Sequence, residues 1–195
     1  MIPNKDKALE ILIEGHSHNP GPWLGHSKSC AHCAYTIAGA CGMDADKAYV
    51  FGLLHDIGRR FGKRHLGHVS DGYSYMMSLG YDEVARICLT HSFMDNTIND
   101  YVGNIDTTEE EMNLIISNLN AIVFDDYDLL IHLCDAMAGS EGVLDIEERM
   151  DDVERRYGSY PIEKRIANRN LIRYFEEKAG RNIYEITQKD TFRVQ

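Results

Sequence analysis

Basic residues are scarce in this chain of 195 residues. Twenty lysines and arginines stand against 31 aspartates and glutamates, and the net charge is −11. Binding to nucleic acid needs a basic face that neutralises phosphates, so nucleic acid is not an expected partner. No apolar run approaches the roughly 18 residues of a membrane-spanning helix. The first residues also lack the apolar core and cleavage site of a signal peptide. We therefore expect a cytoplasmic protein with no membrane partner.

Cysteine is also sparse, and its five copies are odd in number and lie mostly within helical patterns. A disulfide framework is not expected, and reduced thiols agree with a cytoplasmic location. Cys30-Ala-His-Cys33 has the spacing of a zinc or redox pair, but the chain has no second pair, so buried core thiols are favoured. No GxGxxG or GxxxxGK sequence is present, which excludes nucleotide-binding loops of those two types.

The alternation of apolar and polar residues that is typical of a half-buried strand is missing as well, and helical periodicity extends over almost the whole chain. The pattern predicts an all-α fold in which residues 1–195 form a single-domain helical bundle. Thr108-Glu-Glu-Glu111 predicts a capping box, and Gly158 and Gly180 fall where helices should end. The predicted helices are Lys5–Glu14, Trp23–Ala40, Ala45–Ile57, Val69–Leu79, Asp82–Ser92, Thr108–Asn118, Tyr127–Ala138, Ile146–Tyr157 and Ile162–Ala179, with a polar turn at Gly15–Pro22.

The segment Phe51–Gly58 places His55 and Asp56 side by side in an apolar helix. Desolvating both groups is costly unless something binds them. A hydrogen-bonded pair is the structural alternative, but two other apolar helices also carry ligand-type groups, His26 and Asp135. The structural alternative for His26 is a solvent-exposed histidine, and that for Asp135 is a carboxylate bonded to backbone amides. Two imidazoles and two carboxylates suit a divalent ion such as iron, manganese or zinc. We therefore predict a metal site.

Two further histidines extend this metal site. His68 begins a helical stretch and His91 closes one. If both face inward, Asp56 can bridge two ions, and the two histidines can hold the second ion. His65 is close enough in sequence to replace His68, and either can lie exposed at a helix end. His132, one turn before the downstream aspartate, either orients that aspartate or lies on a helix surface.

The doublet and its flanking ligands resemble the HD-domain superfamily of metal-dependent phosphohydrolases over about residues 22–140. The resemblance implies a helical metal-binding core, on which we expect the helices in residues 145–180 to pack. It also implies that one or two divalent ions are held by His26, His55, Asp56 and Asp135, with His68 and His91 as the additional ligands of dinuclear members. His68-x-x-x-Gly72 is similar to bacterial symmetrical dinucleoside-tetraphosphate hydrolases. The residues after His91 and Asp135 depart from that branch.

Four cations follow the doublet within six residues: Arg59, Arg60, Lys63 and Arg64. A solvated loop is the ordinary explanation, but the position beside the metal site favours phosphate binding. The superfamily commonly has lysine at the position of Arg59, which implies a phosphate contact there, with Arg60 or Lys63 assisting. Asp56 is expected to act both as bridging ligand and as proton acceptor.

These observations predict a phosphohydrolase in which a metal-activated water cleaves a phosphoester or phosphoanhydride bond. The expected substrate is a small phosphorylated metabolite, with a nucleotide favoured. A mononuclear phosphomonoesterase such as a nucleotidase is the first alternative. The others are a di-iron oxygenase on the same core and a non-catalytic nucleotide-sensing protein with a structural metal. The apolar residues of the C-terminal helices can pack on the core or form a homodimer surface.

Overall fold

The computed structural model describes residues 1–188, in which all regular secondary structure is helical. The predicted all-α fold is therefore confirmed. A short 3₁₀ helix, Ile57–Phe61, lies between the third and fourth α-helices. The α-helices are α1 Lys5–His18, α2 Trp23–Ala40, α3 Ala45–Leu54, α4 Gly67–Ser78, α5 Asp82–Thr90, α6 Glu109–Asn120, α7 Asp126–Met137, α8 Ile146–Tyr157, α9 Ile162–Ala179 and α10 Ile183–Gln188.

Helix ends follow the capping residues in the sequence. Thr108 and Glu111 form the predicted capping box at the start of α6. Gly158 and Gly180 end α8 and α9 with φ of 85° and 65°. This left-handed conformation costs glycine little because it has no Cβ. Local side-chain chemistry therefore predicts these boundaries well.

Several helix ends differ from the sequence-based prediction by one or two residues, and the ends of α1 and α3 differ by more. α1 continues to His18, beyond the predicted turn, and Gly15 inside it packs closely against Ile57 and Trp23. The predicted helix Ala45–Ile57 is wrong at its end, because α3 stops at Leu54 and Asp56 has non-helical angles of φ −102° and ψ 14°. The 3₁₀ helix and α10 were not predicted. Tertiary contacts, which periodicity does not register, decide these ends.

The central helix of the bundle is α2, which packs against α3, α7, α9 and α10. A second apolar cluster lies where α4, α5 and α6 meet. The side chains that carry the predicted chemistry project from α2, α4 and α7 and from the ends of α3 and α5. The bundle thus brings five separate segments of chain to one place.

The C-terminal helices α8 and α9 both contact α7. Leu171 and Phe175 on α9 are buried in the main core, whereas Ile162 and Ile166 are 56% and 49% exposed. A homodimer formed through this outer face stays a prediction. Among residues 1–188, no helix has the length and apolar character needed to cross a membrane. The cytoplasmic location also stays a prediction.

Candidate metal centre

The six predicted ligands lie in two clusters of three. The first cluster is His26, His55 and Asp135. Asp135 Oδ1 lies 2.8 Å from His26 Nε2 and 3.6 Å from His55 Nε2, and the two Nε2 atoms are 3.3 Å apart. Three ligand atoms therefore converge from α2, the end of α3 and α7.

The second cluster is Asp56, His68 and His91. Asp56 Oδ1 lies 3.1 Å from His68 Nε2 and 3.6 Å from His91 Nε2. The two Nε2 atoms are 3.2 Å apart. All three side chains are buried. A cluster of polar groups this deep is costly unless a ligand or hydrogen bonds compensate for the lost water.

Asp56 connects the two clusters. Its Oδ1 faces His68 and His91, while its Oδ2 lies 4.0 Å from Nε2 of His55 in the first cluster. Because α3 ends at Leu54, the chain leaves the helix between His55 and Asp56. The neighbouring side chains can then point into different clusters. Asp56 therefore lies between the two clusters, with one carboxylate oxygen toward each of them.

The 3₁₀ helix that follows the doublet must approach α4 very closely. A Cβ placed on Gly58 would lie 1.9 Å from the carbonyl oxygen of His68, which no side chain tolerates. Glycine at this position allows the two backbones to touch. The contact carries His68 to the carboxylate of Asp56. Glycine after the doublet therefore helps to assemble the second cluster.

The histidines are oriented in the way that metal binding requires. Nδ1 contacts a backbone carbonyl at 3.1 Å in His26, 2.7 Å in His55 and 3.0 Å in His91. His68 makes the same kind of contact with the carbonyl of His65. A carbonyl only accepts, so each Nδ1 donates its proton, and Nε2 is the ring nitrogen that lies inside a cluster. Metal-ligating histidines are typically held by such an outer hydrogen bond. The residues fit a metal ion.

The surroundings of the clusters hold both aspartates and His68 in the protonation states of metal ligands. They act the other way on His55, where burial lowers the pKa but the neighbouring Cys30 and Asp135 outweigh burial and raise it well above its usual range. Burial opposes ionisation of Asp56, but Arg59 and His68 outweigh it and hold the pKa of Asp56 well below its usual range. The pKa of Asp135 is also lowered well below its usual range. Burial raises it, but hydrogen bonds from the imidazoles of its cluster outweigh this effect. Burial and the charge of Arg59 lower the pKa of His68 to about 4. Anionic carboxylates and a neutral imidazole are the forms that bind metal ions.

A cavity of about 660 Å³ opens on both clusters, and the structure brings two of the three predicted phosphate ligands to it. Arg59 Nε donates to Asp56 Oδ2 at 2.5 Å, and Lys63 is exposed on the cavity wall. Arg60 is not brought there. Its guanidinium donates to both carboxylate oxygens of Glu14 at 2.7 and 2.9 Å, and it lies over the ring of Tyr75 at 4.1 Å.

Arg64, the remaining cation of the four, forms ion pairs with two carboxylates outside the cavity. Its guanidinium bonds both carboxylate oxygens of Asp71 and both of Glu111, at 2.7 to 3.0 Å. Arg64 therefore ties the loop before α4 to α6. The basic cluster divides into two cations at the cavity and two engaged elsewhere.

The structure resolves the two histidine alternatives. His68 is the residue in the cluster, whereas the ring of His65 lies on the cavity wall, edge-on to Tyr157 at 5.9 Å. His132 is buried, so the interpretation as a helix-surface histidine is wrong. Its Nδ1 donates to the carbonyl of His91 at 2.9 Å. His132 therefore supports the segment that carries His91 rather than Asp135.

Sequence reasoning missed the contribution of the C-terminal helices to the cavity. Arg149 and Met150 on α8, Lys164 on α9 and Tyr160 between these helices line its wall. Lys164 is buried and donates to the carbonyl of Ser92 at 3.0 Å. Charged residues at ordinary helical spacing resemble a solvated face, so no local signal marks them.

Fold and site together define an all-helical protein with two adjacent histidine and aspartate clusters. The chain matches the family model of the HD domain over residues 23–139, and it belongs to the HD domain family. No curated protein and no solved structure matches it. The predicted superfamily is confirmed, and the match contains all six cluster residues. The likeness to symmetrical dinucleoside-tetraphosphate hydrolases stays a prediction. The family suggests metal-dependent hydrolysis of phosphate compounds.

Proposed function

We propose that this protein is a dinuclear metal-dependent phosphohydrolase that acts on a small phosphorylated metabolite, with nucleotides as the substrate class. The observation that carries the proposal is the position of Asp56, whose two oxygens face two three-ligand clusters at the wall of one cavity. Divalent ions, when bound, lower the pKa of a water molecule and neutralise charge on a phosphoryl group. Iron and manganese both suit this ligand set.

The chain's own residues bind and orient the phosphate. Arg59 uses Nε for Asp56 and Nη1 for the carbonyl of Arg64. Its Nη2 is left to donate to a phosphate oxygen beside the clusters. Lys63 can add a second cation from the exposed wall. The lowered pKa of Asp56 makes its carboxylate a weak base, so its role is better described as bridging than as proton acceptance.

The rest of the cavity supports a substrate larger than phosphate. A volume of about 660 Å³ lies within the range of pockets that bind small organic ligands. Trp23, Tyr101 and Tyr160 contribute aromatic surface to its wall, and Leu144 and Met150 contribute apolar surface. A planar, partly apolar group beside the phosphate would use this surface. A nucleotide has both parts.

The first expected result concerns metal content and turnover. Protein purified without chelators should contain close to two ions per chain by elemental analysis. It should also release phosphate, or cleave a phosphate bond, on at least one member of a panel of nucleotides and dinucleoside polyphosphates. Chelation should abolish turnover, and added Mn²⁺ or Fe²⁺ should restore it. A metal-loaded protein with no turnover on the panel would contradict the proposed reaction, and a protein without metal would contradict the centre.

The second expected result separates the two adjacent arginines. Arg59→Met should lower kcat/KM by about a hundredfold or more, because it removes a cation aimed at developing phosphoryl charge. Arg60→Met is the matched control, since that guanidinium is engaged by Glu14 and does not reach the cavity. It should keep near wild-type kcat/KM. Steady-state kinetics on the best substrate of the panel measures both. Equal losses in the two variants would remove Arg59 from the proposed reaction.

A further inference from the structure

One side chain of α8 reaches the first ligand cluster from outside the segment that matches the HD domain family. Arg149 Nε donates to the carbonyl oxygen of Ala138 at 3.1 Å. The same oxygen accepts the Nδ1 proton of His26 at 3.1 Å. A helix beyond the family match and a predicted metal ligand therefore share one acceptor.

The carbonyl of Ala138 is available because α7 ends there. Ala138 follows the last helical residue and has extended angles, φ −77° and ψ 129°, which turn its oxygen away from the helix axis. A tight turn holds it: Gly139 N donates to the Gly142 carbonyl and Leu144 N to the Met137 carbonyl, both at 2.8 Å. The oxygen thus points from a fixed turn toward α2.

α2 lies directly against this turn. A Cβ on Gly25, next to His26, would lie 2.1 Å from the carbonyl oxygen of Ser140. The two backbones can approach so closely only with glycine at that position. The distance from His26 to the carbonyl of Ala138 is therefore set by backbone packing as well as by the hydrogen bond.

Arg149 is itself held in place. Its helix is anchored by Ile146 and Met150, which are 3% and 1% exposed. Its Nη1 lies 3.3 Å from Asp152 Oδ2, and its side chain is 19% exposed. The carboxylate balances the charge of the guanidinium beside a cation site. A charged donor forms a stronger hydrogen bond to a carbonyl than a neutral one.

We propose that Arg149 is a positioning residue for the first ligand cluster. It anchors the carbonyl of Ala138, which fixes the Nδ1 proton of His26 and aims Nε2 at Asp135. The inference rests on the metal centre of the proposed function. It implies that α8 is part of that centre, and that Arg149 affects the ion of the first cluster but not that of Asp56, His68 and His91.

The test is a metal titration of the full chain without substrate. Apo-protein prepared by chelation is titrated with Mn²⁺ by calorimetry, and both binding steps are resolved. Arg149→Met keeps the apolar stem but removes the donor, and should weaken one step by about 10- to 100-fold. Arg149→Lys should recover part of the loss. Arg156→Met is the matched control, because Arg156 also lies on α8, lines the cavity and pairs with Asp152.

A double-mutant cycle assigns the weakened step to His26. His26→Ala should weaken the same step, and adding Arg149→Met to it should lower the remaining affinity of that step much less than Arg149→Met lowers it in the wild type. Unchanged Mn²⁺ affinity in Arg149→Met would overturn the positioning role while the metal centre stands. Equal weakening of both steps would also overturn it, since that indicates general loosening of the fold. A wild-type protein that binds no Mn²⁺ would overturn both this inference and the proposed centre.

Discussion

Asp56→Asn is expected to remove the two-ion centre and to lower turnover by about a thousandfold or more. The substitution keeps the size of the side chain but removes the charge that faces both clusters. An amide offers one oxygen instead of two and cannot bridge two cations. Loss of several kcal/mol of metal-dependent stabilisation corresponds to a factor of this size. Elemental analysis and phosphate release measure the two effects.

Asp71→Asn is a suitable control for this substitution. Asp71 is a partly buried aspartate that, like Asp56, pairs with an arginine, in this case Arg64, but it belongs to neither cluster. We expect it to keep two ions per chain. If Asp56→Asn kept both ions and full turnover, the bridging arrangement would be wrong.

The centre was largely predictable from the sequence because several of its ligands are ionisable residues within otherwise apolar helical segments. An imidazole and a carboxylate in the apolar run Phe51–Gly58, and a lone aspartate in apolar α7, are unfavourable without a partner. His68 and His91 were predicted from their positions near helix ends. The structure brings all six residues close together, but it groups Asp56 with His68 and His91 rather than with His26, His55 and Asp135, the set in which the sequence prediction had placed it.

The predictions that failed depended on where a side chain points and on contacts between residues far apart in sequence. Arg60 adjoins Arg59 in sequence, yet Glu14 on α1 holds its guanidinium away from the cavity. The chain leaves α3 at Leu54, and the segment that follows packs backbone to backbone against α4 at Gly58, a contact that periodicity does not indicate. The wall formed by α8 and α9 joins residues far apart in sequence. The local spacing of residue types does not indicate such contacts.

The alternative functions require different side chains in the cavity and different turnover. A di-iron oxygenase can use the same ligands, but Arg59 and Lys63 at the cavity supply positive charge that suits a phosphate. A non-catalytic nucleotide-sensing protein with a structural metal would use the same two cations to bind a phosphate, so turnover is the property that separates it from the enzyme. Oxygen-dependent turnover with poor phosphatase activity would favour the oxygenase. Unfolding upon metal removal, without turnover on any phosphate, would favour the sensor.

The mononuclear phosphomonoesterase is separated from the dinuclear enzyme by His68→Ala. In a dinuclear centre His68 would supply one of the three side-chain ligands that residues 1–188 offer to the second ion. The variant should therefore contain one ion per chain instead of two. Turnover should fall by about a hundredfold or more, or roughly 3 kcal/mol of transition-state stabilisation. A mononuclear enzyme would keep both its ion and its rate.

His65→Ala is the matched control, since it removes a histidine three residues away that lines the same cavity and lies outside both clusters. The backbone carbonyl that holds His68 Nδ1 survives this substitution. Two ions should remain in His65→Ala. Loss of one ion in His68→Ala alone assigns the second site to the cluster. If the wild-type protein holds one ion, and His68→Ala keeps that ion and full turnover, Asp56 serves a single ion together with His26, His55 and Asp135.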